Sequence, residues 1–245
     1  MGSSGLFSLR GIKHRTRVLG RAFRMAGGVF ERQCSICGFE GKFLLAGQNL
    51  RPDAMCPRCA GLERHRLFGL WLSSNKHSFS NRAILHFAPE EIIRSLVAPL
   101  CGDYKCADIV AGRADLVLNA EDIDLPESSV DDVICFHVLE HVDHLKVLQE
   151  FHRILREGGR AILSFPIIEG WDDTYDIGPL SSDRERQLHY GQWDHIKYFG
   201  RSVRKDIEGA GFALEEFTAV EPFVHRHALV RGQKLFIAVK RLSST

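Results

Sequence analysis

Two hydrophobic periods alternate along this chain. Val133-Ile-Cys-Phe136 is an unbroken apolar run, as a strand buried on both faces would be. Val147, Leu148, Phe151, Ile154 and Leu155 then recur at helical spacing and share one stripe. Gly158-Gly159 stops the helix in this reading, because glycine takes the positive φ that a helix C-terminus favours. A second apolar run covers Ala161 to Phe165. Strand, helix and strand at this spacing predict one β-α-β unit, and hence parallel strands.

The same alternation extends on both sides. Strands are expected at Ala83 to Phe87, Tyr104 to Ala107, Leu116 to Leu118, Ala213 to Val220 and Leu235 to Val239. Helices are expected at Leu62 to Leu72, at Glu90 to Val97 before Pro99, and at Val203 to Glu208 before Gly209-Ala-Gly211. Ser73 to Asn81 is polar and reads as linker, and Glu221 to Gly232 suits a loop or hairpin. Seven strands with helices between most of them predict a doubly wound, Rossmann-like α/β domain with a mostly parallel sheet over residues 82–240.

Composition adds boundaries to this picture. The 245 residues are 44% hydrophobic and 26% charged, ordinary for a globular chain. A net charge of +1 supplies no global drive toward nucleic acid or membrane. Residues 1–30 are locally basic, with Arg10, Lys13, Arg15, Arg17, Arg21 and Arg24 and no acid, and read as a tail or loosely docked segment. No apolar run approaches the roughly 18 residues of a membrane span, and the N-terminus lacks the apolar core of a secretory signal. Seven cysteines without such a signal predict a reducing, cytoplasmic setting with thiols that bind metal or pack.

Four of those cysteines form the sharpest local pattern. Cys34-Ser-Ile-Cys37 and Cys56-Pro-Arg-Cys59 enclose 18 residues rich in turn formers. Each CxxC points two sulfurs at one place, and two such knuckles make the closed tetrahedral site that zinc prefers. A small zinc ribbon with its connecting helix is therefore expected over residues 31–72, with a structural role for the metal. Glu63-Arg-His-Arg66 follows, and the roles of inter-domain salt bridge and anion site both remain open for it.

Chemistry in an open parallel sheet collects past the carboxyl ends of its strands. Here those ends carry His86-Phe-Ala-Pro-Glu90, Asp108, Asn119-Ala-Glu121 and Phe136-His137. A carboxylate after the second strand suits a ribose diol, the next strand end can read an adenine edge, and Phe87, Ala120 and Ile123 could sandwich the ring. The first turn lacks GxGxxG, which argues for a nucleoside cofactor without a pyrophosphate.

These motifs resemble those of class I S-adenosylmethionine-dependent methyltransferases of the type 11 kind. The likeness rests on Asn119-Ala-Glu-Asp-Ile-Asp-Leu-Pro126, Ser129-Val-Asp-Asp-Val-Ile134, His137-Val-Leu-Glu-His-Val142 and Leu155-Arg-Glu-Gly-Gly159. More narrowly, Glu63 to Arg66, His86 to Glu90 and Gly191-Gln-Trp-Asp-His-Ile-Lys-Tyr-Phe-Gly200 are similar to a subgroup with an N-terminal zinc ribbon. His86 and Ala88 stand where most of the superfamily has an acid and a glycine, and Asn119 replaces an aspartate. The resemblance implies S-adenosylmethionine as cofactor. Asp108 would hold its ribose and Asn119, Ala120 and Glu121 would face the adenine. His86, Phe87, Ala88, Glu90, Phe136 and His137 would line the methionine side.

Residues 167–200 form a long connection on that same side, with Trp171, Tyr175, Trp193, Asp194 and His195. A connection of this length suits a substrate wall or lid. His195 is the first candidate for a catalytic base and His141 the second, with Asp194 beside His195. His137 and His141, four apart, could share a helix face, but no third metal ligand stands near them in sequence. The expected reaction is methyl transfer to an oxygen of a small molecule or glycan precursor. An RNA or protein acceptor recognised through the ribbon, and a non-catalytic binding protein, are the alternatives.

Overall fold

The computed structural model describes residues 16–21, 25–47, 50–179 and 182–242. Most of the basic N-terminal segment thus lies outside the described residues. The chain divides into two compact units. One takes the residues up to Leu70 together with Ala219–Arg231, and the other takes Trp71–Thr218 with the residues from Gly232 onward.

In the first unit, β1 (Glu31–Gln33) pairs antiparallel with β2 (Glu40–Lys42), and β3 (Leu44–Ala46) with β4 (Arg51–Met55). The helix α1 (Glu63–Asn75) begins here. Glu63, His65 and Arg66 of the expected cluster make contacts within this unit. Glu63 accepts from Arg51 at 2.8 Å and 3.1 Å, and the His65 Nδ1 accepts from the Leu62 amide at 3.1 Å. Arg66 is wholly buried, stacks over Phe43 at 4.8 Å and donates to four backbone carbonyls, those of Ala54, Gly61, His227 and Ala228. Its role is neither an inter-domain salt bridge nor an anion site. The segment expected as a loop or hairpin instead carries a helix, Phe223–His227, whose C-terminal end supplies two of those carbonyls, His227 and Ala228.

The second unit is built on a seven-stranded sheet. Its strands are β5 (Ala83–Phe87), β6 (Asp103–Asp108), β7 (Leu116–Val117), β8 (Val130–Phe136), β9 (Leu155–Ser164), β10 (Phe212–Thr218) and β11 (Lys234–Lys240). Their order is β10-β11-β9-β8-β5-β6-β7. The five strands from β9 to β7 run parallel, and β11 and β10 close the edge antiparallel. The helix α2 (Glu91–Val97) follows β5, and α3 (His144–Ile154) lies between β8 and β9. Val147, Leu148, Phe151 and Ile154 bury the predicted stripe in a core shared with Leu85, Val133, Leu163 and Phe236. Asp143 caps α3, its Oδ1 accepting from the Leu145 amide at 3.1 Å.

Three expectations are corrected here. The residues after Leu72 are not a linker. The helix α1 continues to Asn75, a 3-10 turn covers Lys76–Phe79, and Phe79 is fully buried edge-on to Trp71. The polar letters hid one apolar anchor. Gly158-Gly159 does not stop α3, which ends one turn earlier with Leu155 already extended. The pair lies inside β9 at an irregularity, where Val130 pairs with Leu155 and Asp132 with Arg160. Finally, His137 and His141 do not share a helix face, because His137 sits at φ +55 and a 3-10 turn runs over Leu139–His141.

Candidate functional site

The parallel strands bring the expected polar groups to one edge of the sheet. At the end of β5, His86 is fully buried, with its Nδ1 2.6 Å from the Tyr104 hydroxyl. Burial pushes its pKa down to about 4, so the ring is neutral. Ala88 takes φ +46 and donates its amide to the Ala107 carbonyl at 2.8 Å. This is the left-handed turn for which glycine is the easier residue. Glu90 leads into α2.

At the end of β6, Asp108 accepts from the Val110 amide at 2.8 Å. The neighbouring Ile109 is 69% exposed, an apolar face set beside a carboxylate. The sequence reading passed over Ile109, whose signal was an apolar residue directly after a strand-end acid. Past β7, Asn119 accepts from the Glu121 amide at 3.0 Å, and Glu121 accepts from the Asp143 amide at 2.7 Å. Phe87, Ala120 and Ile123 are buried in the core, and Phe87 stacks near Phe151 at 5.3 Å. Their side chains are committed to packing, so they do not form the expected ring sandwich. Phe136 is likewise buried.

The segment after β8 meets the long connection. The His137 amide donates to the Ser164 carbonyl at 2.7 Å, and its Nδ1 lies 3.0 Å from Glu140 Oε1. The His141 Nδ1 donates to the Asp194 carbonyl at 2.8 Å. The Ile196 amide donates to the Glu140 carbonyl at 3.0 Å, which pins His195 over the same turn. His141 and His195 meet edge to face at 4.8 Å. His195 is 3% exposed, and burial lowers its pKa below the ordinary imidazole value. The structure therefore gathers His141, Asp194 and His195, and adds Glu140, which the sequence reading did not select.

The connection itself is held by bridges from Ile167 to Phe199 and from Tyr175 to Tyr198. Its helix α4 (Asp183–Tyr190) is capped by Ser182 and ends on Gly191 at φ +70. Tyr190 is fully buried, while Trp171 and Trp193 are exposed. A cleft lined by Asp176, Gly178, Pro179, Arg186, Tyr190 and Ile196 opens on it.

In the first unit, Cys34, Cys37, Cys56 and Cys59 bring their sulfurs within 4.8 Å of one another. The pairs Cys34–Cys59 and Cys37–Cys56 stand at 3.7 Å, too far for disulfides. Four sulfurs placed about 2.3 Å from a central ion would lie about 3.8 Å apart, so the donor set fits a tetrahedral metal.

Residues 103–163 match the family described as a methyltransferase domain. This stretch of the α/β unit is thus similar to a methyltransferase domain. A Mycolicibacterium smegmatis protein named as a probable S-adenosylmethionine-dependent methyltransferase is 30% identical over 103 residues, 42% of this chain and 36% of that protein. The match thus spans about a third of the relative's length. Among solved structures, the Burkholderia thailandensis 1,6-didemethyltoxoflavin-N1-methyltransferase superposes with a TM-score of 0.52 at 14% identity, over 74% of this chain and 80% of that one. An S-adenosylmethionine-dependent methyltransferase from Mesorhizobium loti gives 0.51 at 14% identity, over 71% and 98%. At such identities the likeness speaks for the fold. The matched stretch runs from β6 through β7, β8 and α3 into β9. It therefore includes Asp108 and the His137-to-His141 turn.

Proposed function

We propose that the chain transfers a methyl group from S-adenosylmethionine to an oxygen of a small molecule or glycan precursor. The observation that carries this reading is Asp108 at the end of β6 with the exposed Ile109 beside it. A carboxylate can accept from both ribose hydroxyls, and an apolar neighbour can cover one face of the base. Asn119, Ala120 and Glu121 stand on the adenine side, Ala120 through its backbone. His86, Phe87, Ala88, Glu90, Phe136 and His137 border the methionine side, the two phenylalanines through their backbones.

When bound, the cofactor supplies the methyl group and a neutral thioether as leaving group. The residues hold the acceptor in line with the methyl group. The cluster of His195, His141 and Asp194 is the catalytic centre, where an acceptor hydroxyl is received and its proton drawn off. In the other unit, Cys34, Cys37, Cys56 and Cys59 hold a structural zinc ion as a ribbon.

Calorimetric titration of the zinc-loaded protein with S-adenosylmethionine and S-adenosylhomocysteine tests this reading. Micromolar binding that Asp108→Ala abolishes is expected. Folded protein that binds neither ligand would remove the assignment and leave a ribbon-bearing binding protein.

A further inference from the structure

We infer that Glu140, His141 and His195 form a second metal site, separate from the four cysteines, for a divalent transition-metal ion that takes an acceptor oxygen as ligand. The inference rests on the methyltransferase reading only for the identity of that oxygen.

One ligand atom from each of the three residues falls within 4.8 Å of the others. The supporting hydrogen bonds are those a metal site needs. The Asp194 carbonyl can only accept, so His141 carries its proton on Nδ1 and leaves Nε2 bare. His137 contacts one oxygen of Glu140, Oε1, and orients the carboxylate. The other oxygen, Oε2, is buried without a hydrogen-bond partner, in a side chain only 1% exposed. The Nδ1 of His195 is also buried without a partner. A buried carboxylate oxygen and a buried imidazole nitrogen, both unsatisfied in residues whose ligand atoms cluster with one from His141, are costly unless a cation joins them.

Two imidazoles and one carboxylate suit ions such as zinc or manganese and leave coordination positions open. An acceptor hydroxyl bound at an open position is acidified by the cation, loses its proton to solvent water and presents an oxygen nucleophile. His141 and His195 then act as ligands, and His137 and the Asp194 carbonyl are positioning groups behind them. The cluster lies past the carboxyl end of β8, next in the sheet to β5 with His86 to Glu90.

The test is titration with Mn2+ of protein carrying one zinc per chain, read by the loss of the free-ion magnetic resonance signal. Manganese is hard enough to leave the thiolates to zinc. Wild type should take up one Mn2+ per chain, and Glu140→Gln, close to isosteric, should take up none. His137→Ala, which removes the group orienting Glu140, should weaken uptake about 10- to 100-fold. Unchanged zinc content and unfolding temperature certify that each variant is folded. No uptake by wild type, or equal uptake by Glu140→Gln, overturns the site. S-adenosylhomocysteine is titrated into the same samples. Its failure to bind, with manganese uptake following the expected pattern, would remove the methyltransferase reading and leave the metal site standing.

Discussion

Arg66 donates its Nε–H to the carbonyl of His227 at 2.6 Å, across 161 residues of chain. The same guanidinium serves Ala228, Ala54 and Gly61, so one side chain ties the cysteine-bearing segment to the helix Phe223–His227. Its charge also lies close enough to feel Cys34, Cys56 and Cys59, whose metal-bound thiolates would carry net negative charge. Lysine cannot reproduce a planar fork serving four carbonyls. Each orphaned buried carbonyl costs about 1–3 kcal/mol. Arg66→Lys should therefore destabilise this unit by about 3 kcal/mol, and a chromogenic chelator should strip zinc loaded onto its four thiols faster. Unchanged unfolding temperature and release rate would show the clamp to be redundant.

A second buried charge holds the sheet. Asp132 in β8 is wholly buried and faces two arginines. Arg82 reaches it at 2.7 Å and 2.9 Å, and Arg160 at 2.8 Å through both Nε and Nη2. Both guanidiniums are mostly buried. Removing the shared carboxylate leaves two cations without their partner, and breaking a buried pair costs about 3–5 kcal/mol. Asp132→Ala should fall in that range by urea unfolding. Asp132→Asn, which keeps an acceptor, should cost less, and equal costs for the two variants would rule out the electrostatic account.

The sheet was legible because its signals are local. The apolar runs at β5, β8 and β9 and the stripe of α3 each sit within one element, and the CxxC spacing encodes its own knuckles. What escaped depended on distant partners. Phe79 reads as part of a polar linker until Trp71 and Arg160 are seen against it. The helix Phe223–His227 joins the cysteine-bearing unit, and no periodicity can announce that. Glu140 stands between two histidines and was not selected from the sequence. It comes beside His195 only because the Ile196 amide brings that histidine across a connection of more than fifty residues.

His86 predicts a dependence of stability on pH. Burial is the main cause of its depressed pKa, about 4, with the Arg94 charge lowering it further and the Glu90 charge opposing. Its ring faces the Tyr104 hydroxyl. An unfolded histidine titrates near 6.5, so between about pH 6.5 and 4 the unfolded chain binds a proton that the folded one refuses. Stability is fully present above about pH 6.5 and falls as the pH drops through that window. The loss from this group should reach about 2 kcal/mol at pH 5. Urea midpoints at pH 7.5 and 5.0 should show that drop in wild type, and His86→Gln should lack it. An equal drop in both would assign the dependence to other groups.

Gly158 and Gly159 predict an ordering. Both sit in β9 where it slips against β8, and they resist a side chain for different reasons. At Gly159 a Cβ would lie 2.7 Å from the Arg156 carbonyl oxygen and 2.8 Å from that of Asp131. Backbone atoms held by the sheet cannot step aside, so Gly159→Ala should cost about 2–3 kcal/mol. Gly158 has open space, its nearest neighbour being Leu242 at 4.0 Å, but it takes φ +71. Its alanine variant then meets only the left-handed backbone penalty, about 1–2 kcal/mol, and Gly158→Asn should recover part of it. Had the pair capped α3 from outside the sheet, neither alanine would meet the β8 carbonyl, and the positive-φ position would be the costlier one. Thermal unfolding of the three variants distinguishes these cases: Gly159→Ala as the most destabilised places the slip between β8 and β9, and Gly158→Ala as the most destabilised returns the glycines to the helix end.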